Sequence, residues 1–174
     1  MKEVYFKMPI KNADGKKIFA SVGTHPQAFD RLLKELDRIA PKHSEWEIIA
    51  QAGNSKYAPK NFVFKKYFNG KKFNEKIKWA DVVLSHGGAG TIISALLHKT
   101  PLIVVPRLKK FKEHTNDHQL DLAKVLEREG KAITVFDIKE LEQNILKAFS
   151  FKPNLSSDKE RLIKRISLFL EESK

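Results

Sequence analysis

The sequence predicts an α/β fold, in which a doubly wound, Rossmann-like parallel sheet is covered by helices on both faces. Short apolar runs of strand length alternate along the chain with segments whose apolar residues recur at helical spacing. The strand-length runs are largely apolar, as parallel strands buried between two layers of helices must be. The chain has 174 residues and no Cys, so it is long enough for one domain with its own core and has no disulfide scaffold.

Six runs are predicted to be strands. They comprise residues 18–23, 46–52, 61–65, 81–85, 101–106 and 132–136. Pro101 and Pro106 bound the fifth run, and proline marks strand ends because it has no N–H to donate to a neighbouring strand. The fourth run leads directly into a glycine-rich segment, which places a turn at its carboxyl end.

A helix is predicted after each of these strands except the second, which is followed directly by the third strand. The predicted helices comprise residues 27–40, 73–80, 86–97, 117–129 and 137–149, and a further helix is predicted over residues 157–172. Leu32, Leu33 and Leu36 share one face of the first helix. Gly130 is the predicted C-cap of the fourth helix, and Asp137 is the predicted N-cap of the fifth.

This pattern divides the chain into three parts. Residues 1–17 form an N-terminal extension, in which residues 12–15 predict a turn that could belong to an added hairpin. Residues 18–150 form the α/β domain, and residues 151–174 hold the last helix. That helix carries an apolar stripe, which either packs on the sheet or docks a partner, made of Leu162, Ile163, Ile166, Phe169 and Leu170.

The chain is strongly basic, with 33 Lys and Arg against 21 Asp and Glu, a formal net charge of +12. Residues 56–78 and 107–112 hold 11 of the excess charges. Clustered lysines beside aromatic residues would suit nucleic acid, an anionic membrane surface or a pyrophosphate. We favour a structural interpretation of the first stretch, in which Phe62, Phe64 and Phe68 are core residues and the lysines face solvent. A basic nucleic-acid-binding protein is therefore kept as the less favoured alternative function.

Composition also bears on the cellular compartment. The absence of Cys fits a reducing environment. No apolar run approaches the roughly 18 residues of a membrane-spanning helix, and no apolar signal segment follows the N-terminus. We therefore expect a cytoplasmic protein.

Three polar segments follow predicted strands and should meet at the carboxyl edge of the sheet, where doubly wound folds bind ligands. They are residues 23–26, 86–91 and 107–119. The glycines of the second segment let the backbone approach a phosphate, and the following helix offers free N–H groups and the positive end of its dipole. The same glycines could serve the strand-to-helix turn alone. A dinucleotide fingerprint is absent because Ile93 stands at the third glycine position, and no Gly-Lys-Ser/Thr P-loop occurs.

The third segment contains His114, Asp117 and His118, and two His four residues apart could bind a metal from one helix face. The predicted helix begins only at Asp117, so capping and polar contacts are the favoured interpretation and we expect no metal. Ser85 lies outside any Gly-x-Ser-x-Gly turn, so a hydrolase triad has no support.

Three blocks, in order, resemble one protein family. They are SVGTHPQAFD at residues 21–30, SHGGAGTI at residues 85–92, and PLIVVPR followed by EHTNDHQ within residues 101–119. Over about residues 18–135, the chain is similar to the glycosyltransferase family 28 C-terminal domain in its stand-alone form. This family includes the cytosolic catalytic subunit of the two-part UDP-GlcNAc transferase that extends dolichol-linked GlcNAc, and bacterial exopolysaccharide and capsule transferase subunits. The resemblance implies the C-terminal, donor-binding half of a GT-B glycosyltransferase.

The resemblance also implies a set of nucleotide-sugar-binding residues in three loops. They are Gly23 and Thr24 near the diphosphate, His86, Gly87, Gly88, Gly90 and Thr91 in the phosphate-binding turn, Arg107 and His114 along the third loop, and Asp117, His118 and Gln119 at the sugar hydroxyls. Such a site would stabilise the leaving UDP with backbone N–H groups and polar side chains. Relatives of this type are usually inverting and need no metal, so no cofactor is expected beyond the UDP-sugar substrate.

One position departs from the family pattern. Many relatives carry Glu where this chain has Ser94, and in related peptidoglycan-precursor transferases that acid contacts the ribose. The resemblance therefore implies that the ribose is anchored more weakly here, which also leaves open a non-catalytic role as an enhancer of a partner transferase.

The acceptor side of the reaction is the other open question. A general base must reach the acceptor hydroxyl, and in GT-B enzymes the acceptor-binding half generally supplies or frames it. His25 is the candidate base in this chain, although it could instead cap its turn. We expect a donor-binding catalytic subunit that moves a sugar, most readily GlcNAc, to a lipid-linked saccharide and needs a membrane-anchored partner at the cytoplasmic membrane face. Without that partner, the last helix could promote self-association.

Overall fold

The computed structural model describes residues 15–154. Six strands and five helices follow one another through this part of the chain. The strands are β1 (Lys16–Ser21), β2 (Trp46–Gln51), β3 (Val63–Lys65), β4 (Val82–Ser85), β5 (Leu102–Val104) and β6 (Ile133–Thr134). The helices are α1 (Asp30–Ile39), α2 (Gly70–Trp79), α3 (Ala89–Leu97), α4 (His118–Arg128) and α5 (Leu141–Ala148). The predicted N-terminal hairpin and the predicted helix at residues 157–172 lie outside the described residues.

All six strands form one parallel sheet in the order β3-β2-β1-β4-β5-β6. The chain winds outward from β1 to β3, returns to the centre at β4 and then winds outward the other way. The strand order therefore reverses between β1 and β4, where Ser21 lies beside Ser85. This order is that of a doubly wound Rossmann-type fold, so the predicted fold class is confirmed.

The sheet separates two apolar cores. On one face, Leu33 and Leu36 of α1 and Ile145 of α5 pack with Ile18, among other buried residues. On the other face, the buried ring of Phe19 packs with residues of α2, α3 and α4. Because successive residues of a strand point to opposite faces, both layers of helices are fixed by the apolar character of single strands.

The phenylalanine residues of the lysine-rich stretch belong to these cores. Phe62 is buried on the α1 side, and Phe64 packs partly buried on the same side. Phe68 packs against the other core, with its ring centroid 6.0 Å from that of Phe19. The structural interpretation of this stretch is therefore confirmed.

Four helices begin three or four residues away from their predicted positions. Helix α1 begins at Asp30 rather than at residue 27, because Phe29 has non-helical dihedrals and the Asp30 carboxylate is engaged by the backbone N–H of Lys56. Helix α2 begins at Gly70, three residues before its predicted start. Its N-cap is Asn69, whose side-chain oxygen accepts a hydrogen bond from a first-turn N–H and satisfies it.

Helix α3 begins at Ala89 and helix α5 at Leu141, both later than predicted. Asp137 caps a 3₁₀ turn, Ile138–Glu140, and α5 follows from Leu141. Strand β1 starts at Lys16, two residues before the predicted start of the domain. Within residues 15–154, no helix has the length and apolar character needed to cross a membrane.

Candidate functional site

A cleft of about 410 Å³ opens at the carboxyl edge of the sheet, beside the reversal of strand order. Six of the predicted site residues line one side of it: Gly23, Thr24, His86, Gly88, Gly90 and Thr91. They follow β1 and β4, and in doubly wound sheets ligands bind at this crevice because the two loops diverge there. The structure therefore brings together the first two predicted loops.

The His86 ring organises this wall of the cleft. It is buried between two glycines, since a Cβ added at Gly23 would lie 2.4 Å from the ring and one added at Gly88 would lie 2.5 Å from it. Gly23 also has a φ of +78°, which side chains rarely adopt. These two glycines therefore make room for the imidazole.

The charge state of His86 follows from this burial. Its Nδ1 lies 3.3 Å from the Ser21 carbonyl oxygen and donates a hydrogen bond to it. Burial, reinforced by the positive charge of Arg107, lowers the pKa of His86 to about 4. The ring is neutral at pH 7, so it adds no positive charge to the cleft, and any attraction for an anion there comes from other groups.

The start of α3 supplies such a group. Gly88 is the N-cap of α3 and has no side-chain cap, so backbone N–H groups of the first turn lack a side-chain acceptor there. A Cβ at Gly90 would meet nothing within 4 Å, so the backbone faces open space. Thr91 adds a hydroxyl that is nearly buried at the cleft wall. The dipole and N–H groups of this nine-residue helix make its start suited to an anion.

The opposite wall comes from residues that the sequence analysis did not assign to the site. They are Gln51, Tyr67, Phe68, Gly70, Phe73 and Asn74. Gln51 ends β2 and the others follow β3, and the carboxyl ends of both strands share the same edge of the sheet. The lysine-rich composition of this stretch drew attention to its charge, whereas the rule that would have found these residues is the common edge of parallel strands.

Hydrogen bonds tie the two walls together. The Tyr67 hydroxyl donates to Asn54 Oδ1 at 2.8 Å, and Asn54 Nδ2 donates to the carbonyl oxygens of Thr24 and His25. Gln51 Oε1 accepts the backbone N–H of Phe68 at 2.9 Å. The loops after β1, β2 and β3 are therefore held in one arrangement around the cleft.

Ser94 lies just outside this cleft, on the second turn of α3. Its hydroxyl donates to Asn74 Oδ1 at 2.7 Å, and Asn74 lines the cleft. The position that carries Glu in many relatives is thus one contact away from the cleft and faces its rim.

Arg107 has no exposed surface. Its guanidinium donates to the carbonyl oxygens of Val22 and Gln27 in the β1–α1 loop and to that of Glu113 in the β5–α4 loop, at 2.6–2.8 Å. Burial lowers the pKa of Arg107 to about 10, which leaves it protonated at pH 7. Arg107 therefore acts on the site by holding two of its loops, and the observed side chain has no surface with which to line the loop toward a ligand.

His25 and His114 form a stacked pair, with ring centroids 4.6 Å apart and an angle of 30° between the rings. Each Nδ1 accepts a backbone N–H at 3.3 Å, from Gln27 and from Asn116 respectively. Burial lowers the pKa of both, and the positive charge of Arg107 acts in the same direction. In the neutral form, an accepting Nδ1 leaves the proton on Nε2, so His25 presents an N–H donor. A role for His25 as base requires the release of its Nδ1, and that role stays a prediction.

The three residues predicted to lie at the sugar hydroxyls, Asp117, His118 and Gln119, lie in different surroundings. Gln119 Oε1 accepts the backbone N–H of Arg107 at 3.1 Å, and its side chain packs beside Gly87. The Asp117 carboxylate instead accepts the backbone N–H of Lys109 at 2.9 Å and lines a separate apolar hollow, so it is not among the residues of the cleft. The His118 side chain is exposed at the start of α4. Within the described part of the chain, no three His, Asp or Glu residues are grouped closely enough to hold a metal ion.

The geometry is that of a doubly wound α/β unit with a cleft at the carboxyl edge of its sheet, and comparison with known families decides to which family it belongs. The model of the glycosyltransferase family 28 C-terminal domain matches residues 17–172. The chain belongs to this family. The resemblance drawn from the three sequence blocks is thereby confirmed, whereas the roles of individual residues stay predictions.

Among relatives of this family 28 domain, the mouse UDP-N-acetylglucosamine transferase subunit ALG13 is 31% identical to the chain over 129 residues. That alignment covers 66% of this chain and 10% of ALG13, so the chain spans about a tenth of the length of this relative.

Solved structures share the fold of this family 28 domain. A glycotransferase of kitacinnamycin has a TM-score of 0.65 at 18% identity, covering 97% of this chain and 44% of that chain. The NMR structure of ALG13 has a TM-score of 0.58 at 17% identity, covering 87% of this chain and 96% of that chain. Both glycosyltransferases therefore contain the doubly wound unit seen here.

Proposed function

We propose that this family 28 domain is the donor-binding catalytic subunit of a glycosyltransferase that moves GlcNAc from UDP-GlcNAc to a lipid-linked saccharide. The observation that carries the proposal is the cleft at the reversal of strand order, with the uncapped start of α3 at one wall. Family membership supports the reaction class. The similarity to ALG13, a UDP-N-acetylglucosamine transferase subunit, supports UDP-GlcNAc as the donor.

The proposed chemistry uses the chain's own groups. The diphosphate would lie at the start of α3, where Gly90 leaves room for it and the Thr91 hydroxyl is within the same wall. As the sugar–phosphate bond breaks, negative charge grows on UDP, and fixed N–H dipoles stabilise that charge more than they stabilise the bound donor. This arrangement would require no metal ion.

The proposal also includes a membrane-associated partner that binds the acceptor. ALG13 is a transferase subunit, which supports an enzyme made of two chains. In the described residues, His25 is the candidate base, and its accepting Nδ1 makes it a hydrogen-bond donor rather than a base in the observed arrangement. We therefore expect the isolated chain to transfer little sugar, and the complex with its partner to act at the cytoplasmic membrane face. Robust turnover without any partner would contradict this part of the proposal.

Calorimetric titration tests the donor site directly. UDP-GlcNAc, UDP-glucose and UDP should each be titrated in the presence of a chelator, because the proposed site needs no divalent cation. Gly90→Ala adds a methyl group in open space, so the fold should tolerate it, whereas the methyl group occupies the proposed diphosphate position. We expect UDP binding by wild type and a loss of about tenfold or more in the variant, the effect of one lost charge-assisted hydrogen bond.

A matched melting curve without nucleotide separates binding from folding. Alanine favours helices over glycine, so the melting temperature of Gly90→Ala should stay level or rise. Equal UDP affinity in the two proteins would exclude the start of α3 as the diphosphate site.

Ser94 favours one alternative, a non-catalytic enhancer subunit that keeps the fold and stimulates a partner transferase. The Ser94 hydroxyl contacts Asn74 at the rim and supplies no carboxylate to a ribose. If no nucleotide binds to the wild-type chain in the calorimetric series, the enhancer function replaces the catalytic one.

A further inference from the structure

A short basic turn projects from the β5–α4 loop at the same edge of the sheet as the cleft. It consists of Lys109, Lys110, Phe111 and Lys112, and it is called the 109–112 turn below. All four residues are exposed, and 51% of the large Phe111 residue is accessible to solvent. The guanidinium carbon of Arg31 and Nζ of Lys110 each lie 5.0 Å from the centroid of the Phe111 ring. An aromatic residue that stays this exposed among cations is unusual for a surface that only meets water.

The turn is rigidly held at its base. The backbone N–H of Phe111 donates to the Leu108 carbonyl oxygen at 3.1 Å, and that of Lys112 donates to the Lys109 carbonyl oxygen at 2.8 Å. Leu108 is buried, and its N–H donates to the carboxylate of the buried Glu113. These hydrogen bonds define the backbone of the turn that carries Phe111, so little backbone entropy would be lost when a partner binds it.

The charge around the turn is not compensated. Lys34 and Lys56 line the same groove as Phe111 and Lys112. Among residues 15–154, neither these two lysines nor the three of the turn form an ion pair.

The three acidic residues of the groove are already engaged. Glu35 pairs with Arg38, Glu113 pairs with Arg31, and Asp30 accepts backbone N–H groups. Five basic and three acidic side chains line the groove, so the surface around Phe111 keeps a net positive charge that a negatively charged surface can neutralise.

We propose that the 109–112 turn binds directly to an anionic lipid bilayer, with Phe111 at the boundary between headgroups and acyl chains and the lysines at lipid phosphates. Basic clusters beside an aromatic residue bind such surfaces because electrostatic attraction and apolar burial add. A protein partner fits less well, since one exposed ring offers little apolar area and lysines are depleted from protein interfaces.

Binding of the turn to a bilayer would also orient the cleft, and this one step rests on the function proposed above. The turn and the cleft lie at one edge of the sheet, so a bilayer contact through the turn would direct the cleft toward a lipid-linked acceptor. Vesicle binding and nucleotide binding are separate measurements, so failure of either proposal is recognised independently.

Vesicle flotation with the full chain tests the lysines. Vesicles of phosphatidylcholine alone should be compared with vesicles containing about 30 mol% phosphatidylglycerol, a typical anionic composition. We expect binding to the anionic vesicles only, weakening as salt is raised. A variant with Lys109→Gln, Lys110→Gln and Lys112→Gln should bind about tenfold or more weakly, because each lysine near the surface contributes to the attraction.

The matched control replaces three exposed lysines away from the turn, as Lys78→Gln with Lys99→Gln and Lys147→Gln. It should bind anionic vesicles within about twofold of wild type, since these lysines lie in the last turn of α2, after α3 and in the last turn of α5. Equal losses in the control and the turn variant would show a general charge effect and overturn the proposal. Unchanged binding of the turn variant would also overturn it.

A fluorescence experiment tests the position of Phe111. The fluorescence of Trp in the Phe111→Trp variant should shift to shorter wavelength on anionic vesicles and be quenched by brominated acyl chains. It is measured as the difference from the wild-type chain, because that chain has two Trp of its own. Leu146→Trp is the matched control, because Leu146 is also 50% exposed and lies on α5. Equal quenching of both variants, or quenching of neither, would contradict insertion of the turn. Saturable binding of the turn to an acidic protein, with no binding to vesicles, would contradict it as well.

Discussion

At the scale of single residues, His86 links the chemistry of the cleft to its architecture. Its imidazole fills the space left by Gly23 and Gly88, and its Nδ1–H is donated to the end of β1. Larger residues at either glycine would displace the ring and with it the start of α3. The glycine-rich sequence therefore serves the packing of a histidine as well as the approach of a ligand.

The buried His86 predicts a loss of stability in acid. Its pKa falls from an ordinary value of about 6.5 to about 4 in the folded chain, so between these pH values the unfolded chain binds a proton that the folded chain does not. The contribution is fully present above pH 6.5 and is lost as the pH falls toward 4, to a total of about 3 kcal/mol. Urea unfolding of wild type and His86→Gln at several pH values measures it. Their free-energy difference should shrink by that amount, and parallel curves would contradict the prediction.

Ser94 predicts a gain of function by substitution. Its side chain faces the rim of the cleft through Asn74, so a longer carboxylate at this position would reach toward a bound ribose. Ser94→Glu should bind UDP about tenfold more tightly, as expected for one hydrogen bond to a charged acceptor. Ser94→Gln is the control of equal length without the charge and should gain less. UDP affinity that is the same in Ser94→Glu and wild type would count against the proposed position of the ribose.

At the scale of elements, two arginines tie the β1–α1 and β5–α4 loops together. Arg107 donates across to Val22 and Gln27, while Arg31 of α1 reaches back to the Pro106 carbonyl oxygen and to Glu113. Both contacts cross from one half of the double winding to the other. The cleft thus keeps its shape through buried charge as well as through the sheet.

The Arg31–Glu113 contact predicts a large effect on stability. Its side chains are 15% and 6% exposed, and loss of one partner from such a pair leaves a buried charge, at about 3–5 kcal/mol. Glu113→Gln should therefore lower the free energy of unfolding by about 3 kcal/mol. Glu35→Gln makes the same chemical change in the more exposed pair with Arg38 and should lower it by about 1 kcal/mol or less. Urea unfolding that gives equal losses for both variants would contradict a clamping role for Glu113.

The start of each helix shows where local sequence rules suffice. Asn69 caps α2 by the ordinary hydrogen bond of an N-cap residue, so the start of this helix is predictable from the residue type alone. The start of α1 could not be predicted locally, because the Asp30 carboxylate is engaged by the loop after β2. Contacts between distant segments decide such boundaries.

At the scale of the molecule, the sequence predicted the order and type of every described strand and helix, because buried parallel strands and amphipathic helices have distinct periods. It also predicted the wall of the cleft that carries the glycines. It did not predict the opposite wall at Gln51 and Tyr67, because the pairing of β2 and β3 beside β1 is a property of the sheet. Nor could it reveal that Arg107 is wholly buried or that Asp117 lines a different hollow.

The central claim is that a UDP-sugar binds in the cleft between the loops of β1 and β4. Backbone amide chemical shifts of the isotope-labelled chain, recorded during titration with UDP-GlcNAc, test this claim most directly. We predict that the largest changes in chemical shift fall at residues 21–24, 67–74 and 86–91, which form the two walls. Changes confined to the groove around Phe111, or no changes at saturating nucleotide, would contradict it.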